Sequence, residues 1–180
     1  RHPATGSNGV GTISYDVTVT NIGTEDLLAP VTLVLDPAQY FAGQPAMAFT
    51  QTSIGLWLID LTGTVQDIVS KSEIDNGSVC IFVAGSTAAV TTVEFEPGLV
   101  KDLNEAMDRL YPKGIDYDHH RRWGDGNGHS HVRASLVGPS LTVPIVDGRL
   151  LLGTWQQIVF LEFDNKPRSR EVAVQIVGDE

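Results

Sequence analysis

The stretch Ala89–Pro112, AVTTVEFEPGLVKDLNEAMDRLYP, changes period at its middle. Up to Glu96 apolar and polar residues alternate, the two-residue repeat of a half-buried strand. Beyond it Leu99, Leu103, Met107 and Leu110 fall three and four apart, the spacing of one helix face. Pro97 suits the first helical position, where its missing N–H leaves no bond unmade, and Pro112 stops what Tyr111 ends. A strand running directly into a helix is the unit from which the rest of the fold is read.

Upstream the same alternation of types continues. AFTQTSIGLWLID (48–60) reads as a strand with Ile54, Leu56 and Leu58 on one face. LTGTVQDIVSKSEI (61–74) sets Leu61, Val65, Ile68 and Val69 at helical spacing, with Asp60 or Thr62 able to cap it and the following Asp-Asn-Gly-Ser closing it. SVCIFVA (78–84) is a fully apolar strand. Downstream, HVRASLVG (131–138), SLTVPIVDG, RLLLGTWQQIVFLEFD and REVAVQIVG all read as strands. Many strands with two early helices imply an α+β domain, a mostly antiparallel β-sandwich with its sheets face to face and the helices on one side.

The pattern changes near Ala46. Before it, GTISYDVTVTNIG places Ile13, Tyr15, Val17 and Val19 on one face, TEDLL supplies a turn and PVTLVLD a short strand. These two strands resemble the start of a bacterial immunoglobulin-like surface repeat, a sandwich that needs about seven strands. Residues 1–45 are therefore expected to be an extension or a truncated immunoglobulin-like fragment, and residues 46–180 the main domain.

Composition narrows the function classes. With 180 residues and 42% hydrophobic content the chain can bury a real core. A formal net charge of −10 disfavours nucleic-acid partners, which require a contiguous basic face. There is no run of eighteen apolar residues for a membrane span, and the first eleven residues lack the apolar core of a secretory leader. The single cysteine, Cys80, excludes an internal disulfide and is expected to be a small core residue, which suits a reducing, cytoplasmic setting.

Four of the five histidines, His119, His120, His129 and His131, lie in one stretch, YDHHRRWGDGNGHSHVR (117–133). Neutral imidazole is a common ligand of divalent transition metals. On an extended segment His129 and His131 project to the same face. His119 can return across the loop, and Asp125 or Glu162 can add an oxygen, a donor set that suits zinc or a similar ion. The plainer alternative is a solvated loop whose histidines cap turns. Arg133, one pleat repeat beyond His131, is a candidate for holding phosphate, and glycines at 124, 126 and 128 let backbone amides approach an anion. Arg121 and Arg122 fit a solubilising role, and Arg168 and Arg170 can pair with Glu162 or Glu171. GDGNG has neither the spacing nor the context of a Walker or Rossmann loop, and no GxSxG elbow marks Ser86 as a nucleophile.

Several blocks together, IDLTGTVQDIV, GSTAAVTTVEFEPGLVKDL and the long run from Tyr117 to Gly178, resemble the YjbQ-type family, also called the secondary thiamine-phosphate synthase family, over about residues 49–178. The resemblance implies a β-sandwich-like fold assembled as a homotrimer, with polar residues gathered at a cleft between subunits. The family's YxH and later N…H correspond to Tyr117, His119, Asn127 and His131. Its TTAAV block corresponds to Ser86–Val90, with a serine first and Gly85 where a histidine precedes. LGTWQ is present as Leu152–Gln156, and the acidic and arginine block as Glu162, Asp164, Arg168 and Arg170.

The resulting expectations are a divalent metal (Zn or Mg) held by His119, His131, Glu162 and Asp125; catalytic roles for His119, His131, Asn127 and Gln156; and substrate contacts from Ser86, Thr87, Arg133 and Tyr117. The implied reaction joins a pyrimidine methyl diphosphate to a thiazole phosphate, a small phosphorylated substrate pair. Hydrolysis of a small phosphorylated metabolite and a non-catalytic binding module are the alternatives. Trp155 and Phe160 are expected in the core or at an interface.

Overall fold

The computed structural model describes residues 11–20, 31–33, 47–49, 51–53, 56–166 and 168–179. The elements in chain order are β1 (Gly11–Thr20), β2 (Val31–Leu33), β3 (Met47–Phe49), β4 (Gln51–Ser53), β5 (Leu56–Asp60), α1 (Thr62–Lys71), β6 (Asn76–Val83), β7 (Ala88–Val93), α2 (Pro97–Leu110), α3 (Asp118–Trp123), α4 (Gly128–Val137), β8 (Ser140–Val146), β9 (Arg149–Leu150), β10 (Gln157–Glu162) and β11 (Ser169–Asp179). The turn expected at Thr24–Leu28 and the face assigned to Ile54 lie outside the described residues.

The strands form a five-stranded sheet, β1-β11-β6-β8-β9, a four-stranded sheet, β4-β5-β10-β7, and the short pair β2-β3, all antiparallel. β1 comes from the segment before Ala46 and pairs along its whole length with β11, Gly11 opposite Gly178 through Thr20 opposite Ser169. At the far edge of that sheet, Asp147 (φ 50°) and Gly148 (φ 69°) turn β8 into β9, the left-handed pair that a two-residue hairpin demands.

Burial explains the layering. In the five-stranded sheet only one face is inside: Val79, Ile81 and Val83 of β6, Val172, Val174 and Ile176 of β11, and Val143 and Ile145 of β8. These meet Ile59, Val90, Ile158 and Phe160 of the four-stranded sheet, with Val65, Ile68 and Val69 of α1 joining the same core. The opposite face of the four-stranded sheet is also covered. Leu56, Leu58, Ala89, Val159 and Leu161 pack there against Val100 of α2 and Ala134 of α4. A sheet buried on both faces needs an unbroken apolar strand, which is why β10 reads Ile-Val-Phe-Leu instead of alternating. The order is therefore sheet, sheet, then α2 and α4 on the outer face, an α+β sandwich in which α1 departs from the expected single helical side by joining the core between the sheets.

Several local expectations change. SVCIFVA is buried on one face only, and Cys80 is half-buried on the outer face of the five-stranded sheet, opposite Gln175 and Thr142. The buried side of α2 is Val100, Leu103, Asn104 and Met107, whereas Leu99 and Leu110 are exposed, so the stripe is rotated from the one expected. Glu96 caps α2, its carboxylate accepting from the Gly98 and Leu99 amides. The N-cap of α1 is Leu61, with no side-chain cap, and not Asp60 or Thr62; Asp60, one residue earlier, accepts from the Thr62 amide at 2.8 Å. Phe160 is in the core, but Trp155 is 69% exposed. The largest change is HVRASLVG, which is helix α4 and not a strand.

Candidate metal centre

The glycine-rich stretch is two helices with a tight corner between them. α3 ends at Gly124 (φ 66°), whose amide donates to the His120 carbonyl at 2.8 Å, and Gly126 (φ 64°) turns the chain again before α4 starts. Both glycines adopt the left-handed conformation that side-chain-bearing residues avoid. The corner is fixed by Asn127: its amide donates to Asp125 Oδ1 at 3.1 Å, and its own Oδ1 accepts from the Asn165 amide at 3.3 Å. The Asn165 side chain in turn donates to the Asp125 carbonyl at 2.9 Å.

On a helix, residues two apart point roughly 200° away from one another. His129 and His131 are thus separated instead of shared. His129, with Ser130, Arg133 and Ala134, lies on the inner face of α4; it is 1% exposed, and its Nε2 faces the Ser130 hydroxyl at 3.2 Å. Burial, aided by the charges of Arg133 and Lys113, pushes its pKa down to about 4, so the ring is neutral. His131 is on the other side, where its ring lies 4.3 Å from that of His119.

Asp125 completes this cluster. Its Oδ1 is 3.3 Å from His119 Nδ1, and one ligand atom from each of His119, Asp125 and His131 lies within 4.8 Å of the others. The Asn127 amide holds the Asp125 carboxyl below the ordinary carboxylate range. Burial and the neighbouring His119 lower the pKa of His131, which keeps a lone pair available. His119 Nδ1 is buried and makes no directed hydrogen bond, its neighbour being the Asp125 carboxylate at 3.3 Å. A buried polar atom without a partner costs free energy unless something else binds it. Two imidazole nitrogens and a carboxylate are donor types that fit a transition-metal ion.

Other expected site residues go elsewhere. Glu162 is 2% exposed, takes Arg170 Nε at 2.7 Å and Nη2 at 3.0 Å, and accepts from the Asp164 amide, so its oxygens are committed away from the histidines. Arg133 is directed inward, where Nε and Nη2 donate to the Tyr111 carbonyl and Nη2 to Asp108 at 2.8 Å. It clamps α4 to the end of α2 and offers no donor beside His131. Thr87 is buried, donating to Asp164 Oδ2 at 2.8 Å and accepting from Arg170, whereas Ser86 is exposed. Gln156 bends back, its Oε1 accepting from the Gly153 amide at 2.8 Å. Gly85 leaves room for the Arg170 guanidinium, since a Cβ there would stand 2.9 Å from Nη1.

Tyr117 does border the site. Its hydroxyl donates to the Pro112 carbonyl at 3.1 Å, and its ring lies so close to α4 that a Cβ on Gly128 would be 2.6 Å from the tyrosine Cβ. Arg168, missed as a neighbour of the histidines, is partly exposed, pairs with Asp164 at 2.9 Å, and its charge contributes to lowering the pKa of His131. Val132 and Leu136 were also missed; helical spacing from Gly128 would have found them.

A two-layer antiparallel sandwich with α2 and α4 on its outer face is a fold shared with solved YjbQ-like proteins. The chain matches that family, described as UPF0047 protein YjbQ-like, over residues 48–179 and belongs to it. A UPF0047 protein of Archaeoglobus fulgidus is 42% identical over 118 residues, 66% of this chain and 89% of that protein. One from Methanocaldococcus jannaschii is 40% identical over 123 residues, 68% and 86% respectively. Among solved structures, a YbjQ-like protein of unknown function from Sulfolobus solfataricus superposes with a TM-score of 0.72 at 28% identity, covering 95% of this chain and all of that one. Among the described residues, no helix is long and apolar enough to cross a membrane.

Proposed function

We propose that the protein is a metal-dependent enzyme that hydrolyses a small phosphorylated metabolite, with His119, His131 and Asp125 as the ligands. The observation that carries this reading is the convergence of their three ligand atoms, with His119 Nδ1 buried beside Asp125 and making no directed hydrogen bond. Two nitrogen donors favour zinc or a related ion over magnesium, which prefers oxygen. Such an ion supplies Lewis acidity and acidifies water to a pKa of about 7. Asn127 holds Asp125 in place through its backbone amide, and Arg168, paired through Nε with Asp164 at 2.9 Å but still 43% exposed, is a candidate cation for a phosphoryl oxygen.

The thiamine-phosphate-forming condensation implied by the resemblance remains the second reading. It requires fixed cations for two anionic substrates. Arg133 is bound to Asp108 and Tyr111, and Arg170 to Glu162 and Thr87, which favours hydrolysis. In this proposal the enzyme works as a homotrimer in the cytoplasm.

The test is to supply zinc to the metal-free chain, measure bound metal after dialysis, and assay phosphomonoesters beside the pyrimidine and thiazole pair. Orthophosphate alone supports hydrolysis; pyrophosphate with thiamine phosphate supports condensation. Wild-type activity and metal content in His131→Ala would overturn the site assignment for either reaction.

A further inference from the structure

We propose that the cavity on the outer side of α4 seats an uncharged, carbon-rich body of the substrate, an aryl or branched alkyl group, whose anionic head sits at His119, Asp125 and His131. The inference rests on the metal-centre reading above.

The cavity holds about 510 Å³, within the usual range of small-molecule sites of roughly 300–1,000 Å³. His119 and His131 form part of its wall, so cavity and cluster are continuous. Tyr117, Val132 and Leu136 supply carbon surface, and Leu136 is 61% exposed, an apolar group with area to bury. Ser135 and Tyr117 in the lining have their hydroxyls bonded within the protein, and the Asp118 side chain is 94% exposed to solvent. Ser135 Oγ donates to the His131 carbonyl at 2.7 Å, and Asp118 pairs with Arg121 at 3.0 Å. With the Tyr117 hydroxyl tied to Pro112, what remains for the body of a ligand is ring and methyl surface. A sugar would find few hydroxyl partners on this wall, whereas an aryl group needs none.

The helix supplies this arrangement directly. Residues 128, 131, 132, 135 and 136 share the outer side of α4, so one helix face carries both a ligand for the head and the apolar wall for the body.

The experiment is isothermal titration of the zinc-loaded full chain with phenylphosphonate and methylphosphonate, which share a head and differ in the body. Phenylphosphonate is expected to bind at least about tenfold more tightly. In Leu136→Ser, an exposed position that leaves the fold intact, the ratio of the two affinities should fall towards one. Equal affinities for the two probes with zinc bound would overturn the body subsite while leaving the metal centre standing. Affinities for both probes that stay the same without zinc, with the phenyl preference kept, would keep the subsite and overturn the metal's part in holding the head. If zinc does not bind, both are overturned.

Discussion

Replacing Arg133 by methionine separates a structural from a substrate-binding role for this arginine. The side chain is 1% exposed, and methionine keeps most of the buried stem while removing the guanidinium. The variant loses the bonds from Nε and Nη2 to the Tyr111 carbonyl, which ends α2, and the 2.8 Å bond to Asp108. Asp108 is 59% exposed, so the ion pair itself contributes at most about 1 kcal/mol. Stranding the Tyr111 carbonyl costs about 1–3 kcal/mol, partly offset because a buried charge no longer has to be desolvated. The net loss is about 2 kcal/mol, a fall in Tm of about 4–8 °C for a chain of this size, read by differential scanning calorimetry on the metal-free protein. Methylphosphonate affinity of the zinc-loaded variant should stay within about threefold of the parent, since none of the lost bonds faces His131. An unchanged Tm together with a large loss of phosphonate affinity would refute the reasoning and return Arg133 to the substrate.

Gly128→Ala forces a Cβ to 2.6 Å from the Tyr117 Cβ, so either Tyr117 or α4 must shift; we expect a loss of about 1–3 kcal/mol in urea unfolding together with weaker zinc binding. Thr87→Val removes the hydroxyl shared by Asp164 and Arg170 and should lower stability by about 1–3 kcal/mol, with zinc affinity retained; equal stability would show that the cluster contributes nothing. His129, neutral in the fold with a pKa near 4 against a usual 6.5, binds its proton more readily when unfolded. Metal-free stability is therefore complete above about pH 6.5 and declines as pH falls towards 4, by up to about 3 kcal/mol. In His129→Gln the urea midpoint should be flatter across that window, and an identical slope would assign the acid sensitivity to other groups.

The layers of the fold could be read because the core-facing positions of β6, β7, β10 and β11 are rich in β-branched and aromatic residues, and Pro97 and Pro112 bracket α2. α4 was not legible by alternation, since Val132, Ala134 and Leu136 imitate a strand. The signal that identifies it is Gly138 followed by Pro139, a helix stop, together with Asn127 at the start. That one change of period redistributes the site. It sends Arg133 inward with His129 and leaves His131 facing His119. The choice of Asp125 over Glu162 as the carboxylate could not come from sequence, because it depends on a left-handed corner at Gly126 and on Arg170 reaching Glu162 across β10 and β11.

Zinc K-edge X-ray absorption of the chain dialysed against one equivalent of zinc tests the central claim most directly. Two imidazole nitrogens at about 2.0–2.1 Å and a carboxylate oxygen in the first coordination sphere are expected, with one imidazole lost in His119→Ala. An all-oxygen sphere, or a spectrum identical in that variant, would contradict it.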